Sequence, residues 1–218
     1  MKFLAQACLR VYREHDKLNT WIFDFDNTLF NSRLSVFPII NERMTQYIQD
    51  HLGVDREEAN HLRNKYWKQY GATLLGLVAH HHIDAHHFLK VTHDVGDFSR
   101  LASSKSPLVH LFRILPGDKL VFSNSPNCYL TPMLRQLGIE PFVTQAFSIE
   151  STRLNPKPSL KGFRAILKQC RLDPRRSVMI EDSIDNLLAA KQLGMKTVFV
   201  SPSLCRPSWV DAVVRRIY

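Results

Sequence analysis

The chain has 218 residues, 44% of them hydrophobic and 22% charged, which suits one core domain of about 100–200 residues with room for an insert. It is long enough to bury a core without disulfide staples and too hydrophobic for disorder, and it has no apolar run near the ~18 residues that span a membrane. Its 29 Lys and Arg against 20 Asp and Glu leave a net charge of +9, which attracts anions: nucleic acid, acidic membranes or small phosphorylated molecules.

The basic residues are scattered, with adjacent arginines only at Arg175-Arg176 and Arg215-Arg216. A nucleic-acid surface shows a stripe or a tail instead, so neither nucleic acid nor membrane is the expected partner. The four cysteines, Cys8, Cys128, Cys170 and Cys205, form no CxxC pair. They read as reduced, mostly buried thiols of a cytoplasmic protein. The apolar start is broken by Gln6 and Arg10 and has no small-residue cleavage site, so it does not read as a secretory signal. No GxxxxGK[ST], GxGxxG or GxSxG string occurs, so those loops grip no phosphate here.

In chain order, the first predicted strand is the apolar run 21–25, which stops at Asp26-Asn27-Thr28. Four segments with helical spacing follow, at 37–52, 57–70, 72–81 and 85–93. Then come strands at 120–122 and 142–144, helices at 129–137 and 160–170, a strand at 178–180, a helix at 184–193 and a strand at 197–200. Gly138 and Gly194 read as helix stops. Apolar runs buried on both faces and separated by helices indicate a parallel α/β sheet. Roughly 90 residues separate the first two strands, where a crossover needs about a dozen. The excess predicts an inserted helical domain at 33–105, with the core made of 1–32 and 106–218.

Ligands of open α/β sheets bind beyond the carboxyl ends of the strands. Those ends carry Asp24, Asp26 and Thr28, then Ser123 and Asn124, then Glu181, Asp182 and Ser183, with Asp185 just beyond. Lys157 stands between Pro156 and Pro158 ahead of a helix. Taken singly, each has an ordinary explanation: a turn-forming aspartate, a hydroxyl-capped turn, a surface lysine, a helix cap. As a set, each follows or lies between strands of one α/β pattern. Several carboxylates in one cleft must take up protons or hold a cation. All-oxygen ligands favour Mg²⁺, and a phosphate then bridges metal and lysine.

With these residues in place, the chain resembles the haloacid dehalogenase superfamily of phosphohydrolases over almost its whole length. The four motifs are Asp24-Phe25-Asp26-Asn27-Thr28, Ser123, Lys157 and Glu181-Asp182. The resemblance implies a Rossmann-like three-layer α/β/α core with a helical cap inserted after the first motif. Asp26 matters, because the true dehalogenases lack a second carboxylate there and the phosphatases carry it. A narrower resemblance lies in Tyr66-Trp67-Lys68-Gln69-Tyr70-Gly71-Ala72-Thr73-Leu74-Leu75-Gly76-Leu77 and His82-Ile83-Asp84, which look like the cap of pyrimidine 5′-nucleotidases. Leu115-Pro116-Gly117 and Phe122-Ser123-Asn124 are similar to the same group, whereas Phe30-Asn31 departs from its frequent Tyr-Pro.

By that resemblance Asp24 is the nucleophile and Asp26 the general acid and base. Ser123, the Asn124 amide and Lys157 stabilise the phosphoryl oxygens, and Thr28 joins Asn124 on the substrate. Mg²⁺ is held by the Asp24 carboxylate, the Asp26 carbonyl and Asp182. Glu181 is either a direct ligand or a base that orients metal-bound water. The expected substrate is a nucleoside 5′-monophosphate, with another small phosphoester, such as phosphoglycolate or a sugar phosphate, or a phosphomutase reaction as the alternative. A catalytically inactive basic nucleic-acid-binding module is the reading from another class.

In the insert, the stretch from Tyr70 to Gly76 reads as a loop in close approach to substrate, because Gly permits backbone contact. Tyr66, Trp67 and Tyr70 serve either the packing of the insert or the stacking of a base. His80, His81, His82, His86, His87 and His93 crowd the same region. Only His82 and His86 have a shared-metal spacing and no cysteine is near, so they read as solvated or substrate-facing rather than zinc-bound. Oligomeric state is not legible.

Overall fold

The computed structural model describes residues 18–98 and 106–215. Six parallel strands form one sheet: β1 (Thr20–Phe23), β2 (Asp118–Phe122), β3 (Gln145–Phe147), β4 (Ser177–Glu181), β5 (Lys196–Val200) and β6 (Ala212–Val214), in the order β3-β2-β1-β4-β5-β6. Successive side chains of a strand face opposite ways. Trp21, Phe23, Val121, Val178 and Ile180 accordingly enter one core, and Ile22, Leu120, Phe122 and Met179 the other. The first core is closed by Leu108, Leu111 and Phe112 of helix Ser106–Ile114 and by Tyr129, Leu130 and Met133 of helix Asn127–Gln136. The second is closed by Phe163 and Ile166 of helix Leu160–Gln169 and by Leu187 and Ala190 of helix Ile184–Gln192. This is the Rossmann-like α/β/α sandwich expected from the sequence.

Between β1 and helix Ser106–Ile114 the described residues form a short helix, Ser32–Ser35, and four longer ones, Phe37–Leu52, Arg56–Tyr70, Thr73–His81 and Ala85–Thr92. Their boundaries are set by local chemistry. The Asp55 carboxylate caps the helix from Arg56 by accepting from Glu58 N, and Asp84 caps the helix from Ala85 through His87 N. Gly53 and Gly71 end the two helices before them in left-handed backbone. The four helices share a third apolar cluster of Tyr47, Ile48, Leu62, Tyr66, Leu74, Leu77, Phe88 and Leu89, which Ile149 of the sheet domain completes. No helix among the described residues is long and apolar enough to cross a membrane.

Several expectations are corrected. The strand placed at 142–144 starts later, at Gln145; Glu140–Phe142 is a 3₁₀ turn, where Pro141 has no N–H for a ladder. Strand β6 and the helices Ser32–Ser35 and Ser106–Ile114 had no legible signal. The loop expected from Tyr70 to Gly76 is only the turn at Gly71 and Ala72, because a helix begins at Thr73. The cysteines are not mostly buried. Cys128 and Cys205 are exposed, Cys170 is half-buried and all three are free; Cys8 and the end of the insert at 99–105 lie outside the described residues.

Candidate active site

The register of the central strands assembles the site. Phe23 of β1 is level with Val121 of β2 and Ile180 of β4. One or two places further along, Asp24, Ser123 and Glu181-Asp182 therefore emerge at one edge, with Asp24 on the middle strand. Asp24 N donates to Ile180 O at 2.9 Å and Ser123 N to Phe147 O at 2.9 Å, so both are still anchored as strand.

Lys157 Nζ is buried between two carboxylates, donating to Asp24 Oδ1 at 2.6 Å and to Glu181 Oε2 at 2.8 Å. Burial alone would lower the ammonium pKa, but the charges of Asp24 and Glu181 more than offset it and hold it above the ordinary lysine range. The lysine backbone is gripped in turn: Lys157 N donates to Asn124 Oδ1 at 2.8 Å, and Asn124 Nδ2 donates to Lys157 O at 3.0 Å.

Asp24, Glu181 and Asp182 bring oxygen atoms within 4.8 Å of one another. Asp24 Oδ2 is buried with no hydrogen-bond partner. Burial, then repulsion from Glu181, raises the Asp24 pKa to about 7. Burial, then the Asp24 charge, raises that of Asp182 to about 6. An orphaned carboxylate oxygen among mutually repelling carboxylates, with no sulfur or nitrogen donor, fits a hard divalent cation such as Mg²⁺.

Glu181 has little capacity left for a metal. Its Oε1 accepts from Asp182 N and Ser183 N, each at 3.1 Å, and its Oε2 accepts from Lys157 and, at 3.0 Å, from Asn186 Nδ2. Asp185 is exposed in the first turn of its helix.

The loop after β1 is a tight turn in which Phe25 O accepts from both Leu29 N and Phe30 N. Asn27 takes the left-handed conformation, tolerable for Asn, and its Oδ1 receives Arg33 N at 2.9 Å. The Asp26 carboxylate accepts from the hydroxyls of Ser32, Ser125 and Tyr129. Burial raises its pKa against the lowering effect of those hydroxyls. Ser123 is buried and its Oγ accepts Ser125 N at 3.0 Å. Thr28 is buried with its hydroxyl unpartnered.

The insert residues divide. Gly71 lies against the site: a Cβ built on it would stand 3.6 Å from Lys157 O. Its neighbour Tyr70 is half-buried and bonds His80 Nε2 through its hydroxyl at 2.6 Å. Gly76 is buried. It lies inside a helix, where an added Cβ would fall 2.1 Å from Tyr66 Cγ, so its missing side chain makes room for the tyrosine. Tyr66 packs the insert, whereas Trp67 is 60% exposed. His81 bonds the Tyr66 hydroxyl at 2.7 Å and His87 that of Tyr47 at 2.8 Å. Among the described residues the histidines form no metal cluster.

Asn186, Ser32, Ser125, Tyr129 and the Asn124 side chain were not found by sequence reasoning. Ser125, Tyr129 and Asn124 act on residues at least 33 positions away, whereas Ser32 and Asn186 lie within 6 positions of Asp26 and Glu181 but in no motif that marks them as partners.

A family model described as haloacid dehalogenase-like hydrolase matches residues 18–194. The glyceraldehyde 3-phosphate phosphatase of Methanocaldococcus jannaschii is 26% identical over 200 residues, 81% of this chain and 82% of that protein. Among solved structures, CbbY of Rhodobacter sphaeroides in complex with phosphate superposes with a TM-score of 0.65 at 16% identity, over 92% of this chain and 95% of that one. The HAD-hydrolase YfnB of Bacillus subtilis, bound to magnesium, gives 0.60 at 13% identity over 92% and 95%.

Proposed function

The chain belongs to the haloacid dehalogenase-like hydrolases, and from that premise we propose that it is a Mg²⁺-dependent phosphatase whose substrate is a nucleoside 5′-monophosphate, a pyrimidine one by the resemblance of its insert. The observation that carries the chemistry is the buried Asp24, held by Lys157 through one oxygen and left without a hydrogen bond at the other.

In this reading Asp24 attacks phosphorus and forms an aspartyl-phosphate as the ester P–O bond breaks, so that one hard displacement becomes two. The Asp26 carboxyl gives its proton to the departing oxygen. It then takes a proton from the water that cleaves the aspartyl-phosphate and releases phosphate, a role worth about 10²–10⁴-fold. Lys157, Ser123 and the Asn124 N–H stabilise the phosphoryl oxygens. Asp24, Asp182 and the Asp26 carbonyl would hold Mg²⁺, which when bound neutralises charge between the phosphoryl group and its anionic nucleophile. Glu181 is assigned to Lys157 rather than to the metal, because its oxygens are already engaged. The magnesium in the related YfnB structure supports the same cation.

Residues 33–105 act as the cap in this proposal. Support comes from Gly71 lying against Lys157 O, and from Ile149 packing into the insert's own cluster. Tyr70, next to Gly71, and the exposed Trp67 are the side chains assigned to the leaving group. A second reading, a triose or sugar phosphate as substrate, is favoured by the M. jannaschii relative, which matches over most of both chains. Phosphate release from a panel of nucleoside monophosphates, glyceraldehyde 3-phosphate, phosphoglycolate and sugar phosphates, with and without Mg²⁺, decides between them. Release from none of these in the presence of Mg²⁺ would reject both.

A further inference from the structure

Three hydroxyls converge on the Asp26 carboxylate from different parts of the chain. Ser32, where the chain enters the insert, donates to Oδ1. Tyr129 OH donates to the same oxygen at 3.1 Å, and Ser125 Oγ donates to Oδ2 at 2.7 Å. The Tyr129 hydroxyl also lies 3.5 Å from Ser32 Oγ.

Tyr129 is the most constrained of the three. It has no exposed surface, and its ring meets Phe25 edge-on at a centroid distance of 5.9 Å. The rings of His93 and Phe98 are each centred 6.3 Å from it. Those two residues belong to the segment by which the chain leaves the insert. The packing would be filled equally by phenylalanine, so the hydroxyl is not there for volume. A buried hydroxyl costs a few kcal/mol unless it is bonded, and this one is bonded to the carboxylate expected to move a proton.

We propose that Tyr129 is a positioning residue for Asp26: its hydroxyl aims the carboxyl at the leaving-group oxygen, and its ring ties that aim to residues 93–98. The inference rests on the phosphatase reading, in which Asp26 supplies the proton. Ser125 fixes the second oxygen, so that Asp26 is aligned from the sheet domain as well as from the entry to the insert.

The test compares wild-type and Tyr129→Phe protein, both with Mg²⁺, on two leaving groups. One substrate is the faster of uridine 5′-monophosphate and glyceraldehyde 3-phosphate, whose alkoxide must be protonated as it leaves. The other is p-nitrophenyl phosphate, whose phenolate leaves without a proton. The quantity is kcat/KM, which covers the steps up to departure of the leaving group. The alkyl ester should lose about tenfold and the aryl ester less than about threefold, because only the first needs the acid. Ser125→Ala should show the same contrast, and it carries the test if Tyr129→Phe folds poorly. Phe98→Ala should lower the alkyl rate in the wild-type background and cause no further loss beside Tyr129→Phe. Equal losses on both esters, or no loss in folded protein, would overturn the positioning role. An added loss from Phe98→Ala beside Tyr129→Phe would overturn the tie to the leaving segment. Wild-type protein that cleaves none of the three esters would instead overturn the phosphatase reading on which the inference stands.

Discussion

Asn124 holds Lys157 by both of its backbone polar groups, accepting from the lysine N–H and donating to its carbonyl. The amide thereby sets where the Lys157 ammonium reaches, and the ammonium in turn bridges Asp24 and Glu181. Asn124→Ala removes two hydrogen bonds worth about 1 kcal/mol each. A displacement near 1 Å in a reacting group costs up to about a hundredfold in rate. The variant should therefore lose about 1–3 kcal/mol of stability in urea titration and between about ten- and a hundredfold in kcat.

Lys157→Met should be more damaging to the fold. It leaves Asp24 and Glu181 facing each other in a buried site without their cation. Losing one partner of a buried charge pair costs about 3–5 kcal/mol. Urea unfolding of the metal-free protein measures the loss, and Mg²⁺ should recover part of it by supplying a charge in the same place.

Metal affinity should depend on pH in a fixed direction. Asp24 is raised to about 7 and Asp182 to about 6, so both bind protons at pH values where ordinary aspartates are ionised. Folding of the metal-free protein gains from those protons at low pH and loses that contribution as pH rises through 6 to 7. Mg²⁺ must displace the same protons, so its affinity should weaken as pH falls below 7, by roughly tenfold per pH unit for each proton displaced. Isothermal titration in buffers of different ionisation enthalpy reads the proton release directly. Affinity independent of pH between 5 and 8 would place the cation elsewhere.

His93 contributes with the opposite sign. It is buried beside Thr92, and burial lowers its pKa to about 4. The unfolded chain takes up this proton as pH falls through 6.5, and the folded protein does so only near 4. Its contribution is present in full above pH 6.5 and is lost toward pH 4, on the order of 3 kcal/mol. The difference in pH-stability profile between wild type and His93→Gln, measured metal-free, isolates this effect from the carboxylates.

The sheet was legible because it is buried on both faces: Trp21–Phe23, Leu120–Phe122 and Val178–Ile180 read as unbroken apolar runs that stop where the functional side chains begin. Strand β6, three residues at an edge, offered too short a run. Asp24 and Asp182 were legible for a related reason, since their place at strand ends follows from the pattern of strands alone, and Lys157 was legible from its flanking prolines ahead of a helix. Partners such as Ser125 and Tyr129 were not, because they reach Asp26 across about a hundred residues of sequence and only the folded register makes them neighbours.

Gly76 was read as part of a loop and lies in a helix, because a glycine opens space equally for a ligand or for a neighbouring ring, and here the ring of Tyr66 takes that space. Gly76→Ala should cost about 1–3 kcal/mol by overpacking, visible in urea titration. Any loss of activity in the folded variant should fall alike on nucleotide and small aryl phosphate. A selective rise of KM for the nucleotide would return Gly76 to the substrate surface.

The central claim is that Asp24 attacks phosphorus, and trapping the phosphoryl group on the enzyme tests it most directly. The attack breaks the ester P–O bond and leaves phosphorus on a carboxylate oxygen of Asp24; water then attacks that phosphorus, so released phosphate gains one solvent oxygen and Asp24 keeps both of its own. Enzyme mixed with substrate radiolabelled in the phosphoryl group, with Mg²⁺, and quenched in acid within the first turnover should retain label that hydroxylamine releases, as an acyl phosphate requires. Borohydride reduction of the quenched enzyme should convert the phosphorylated Asp24 to homoserine, found by mass spectrometry of the peptide containing residue 24. Label trapped on a residue other than Asp24, or an active Asp24→Asn protein, would contradict the account.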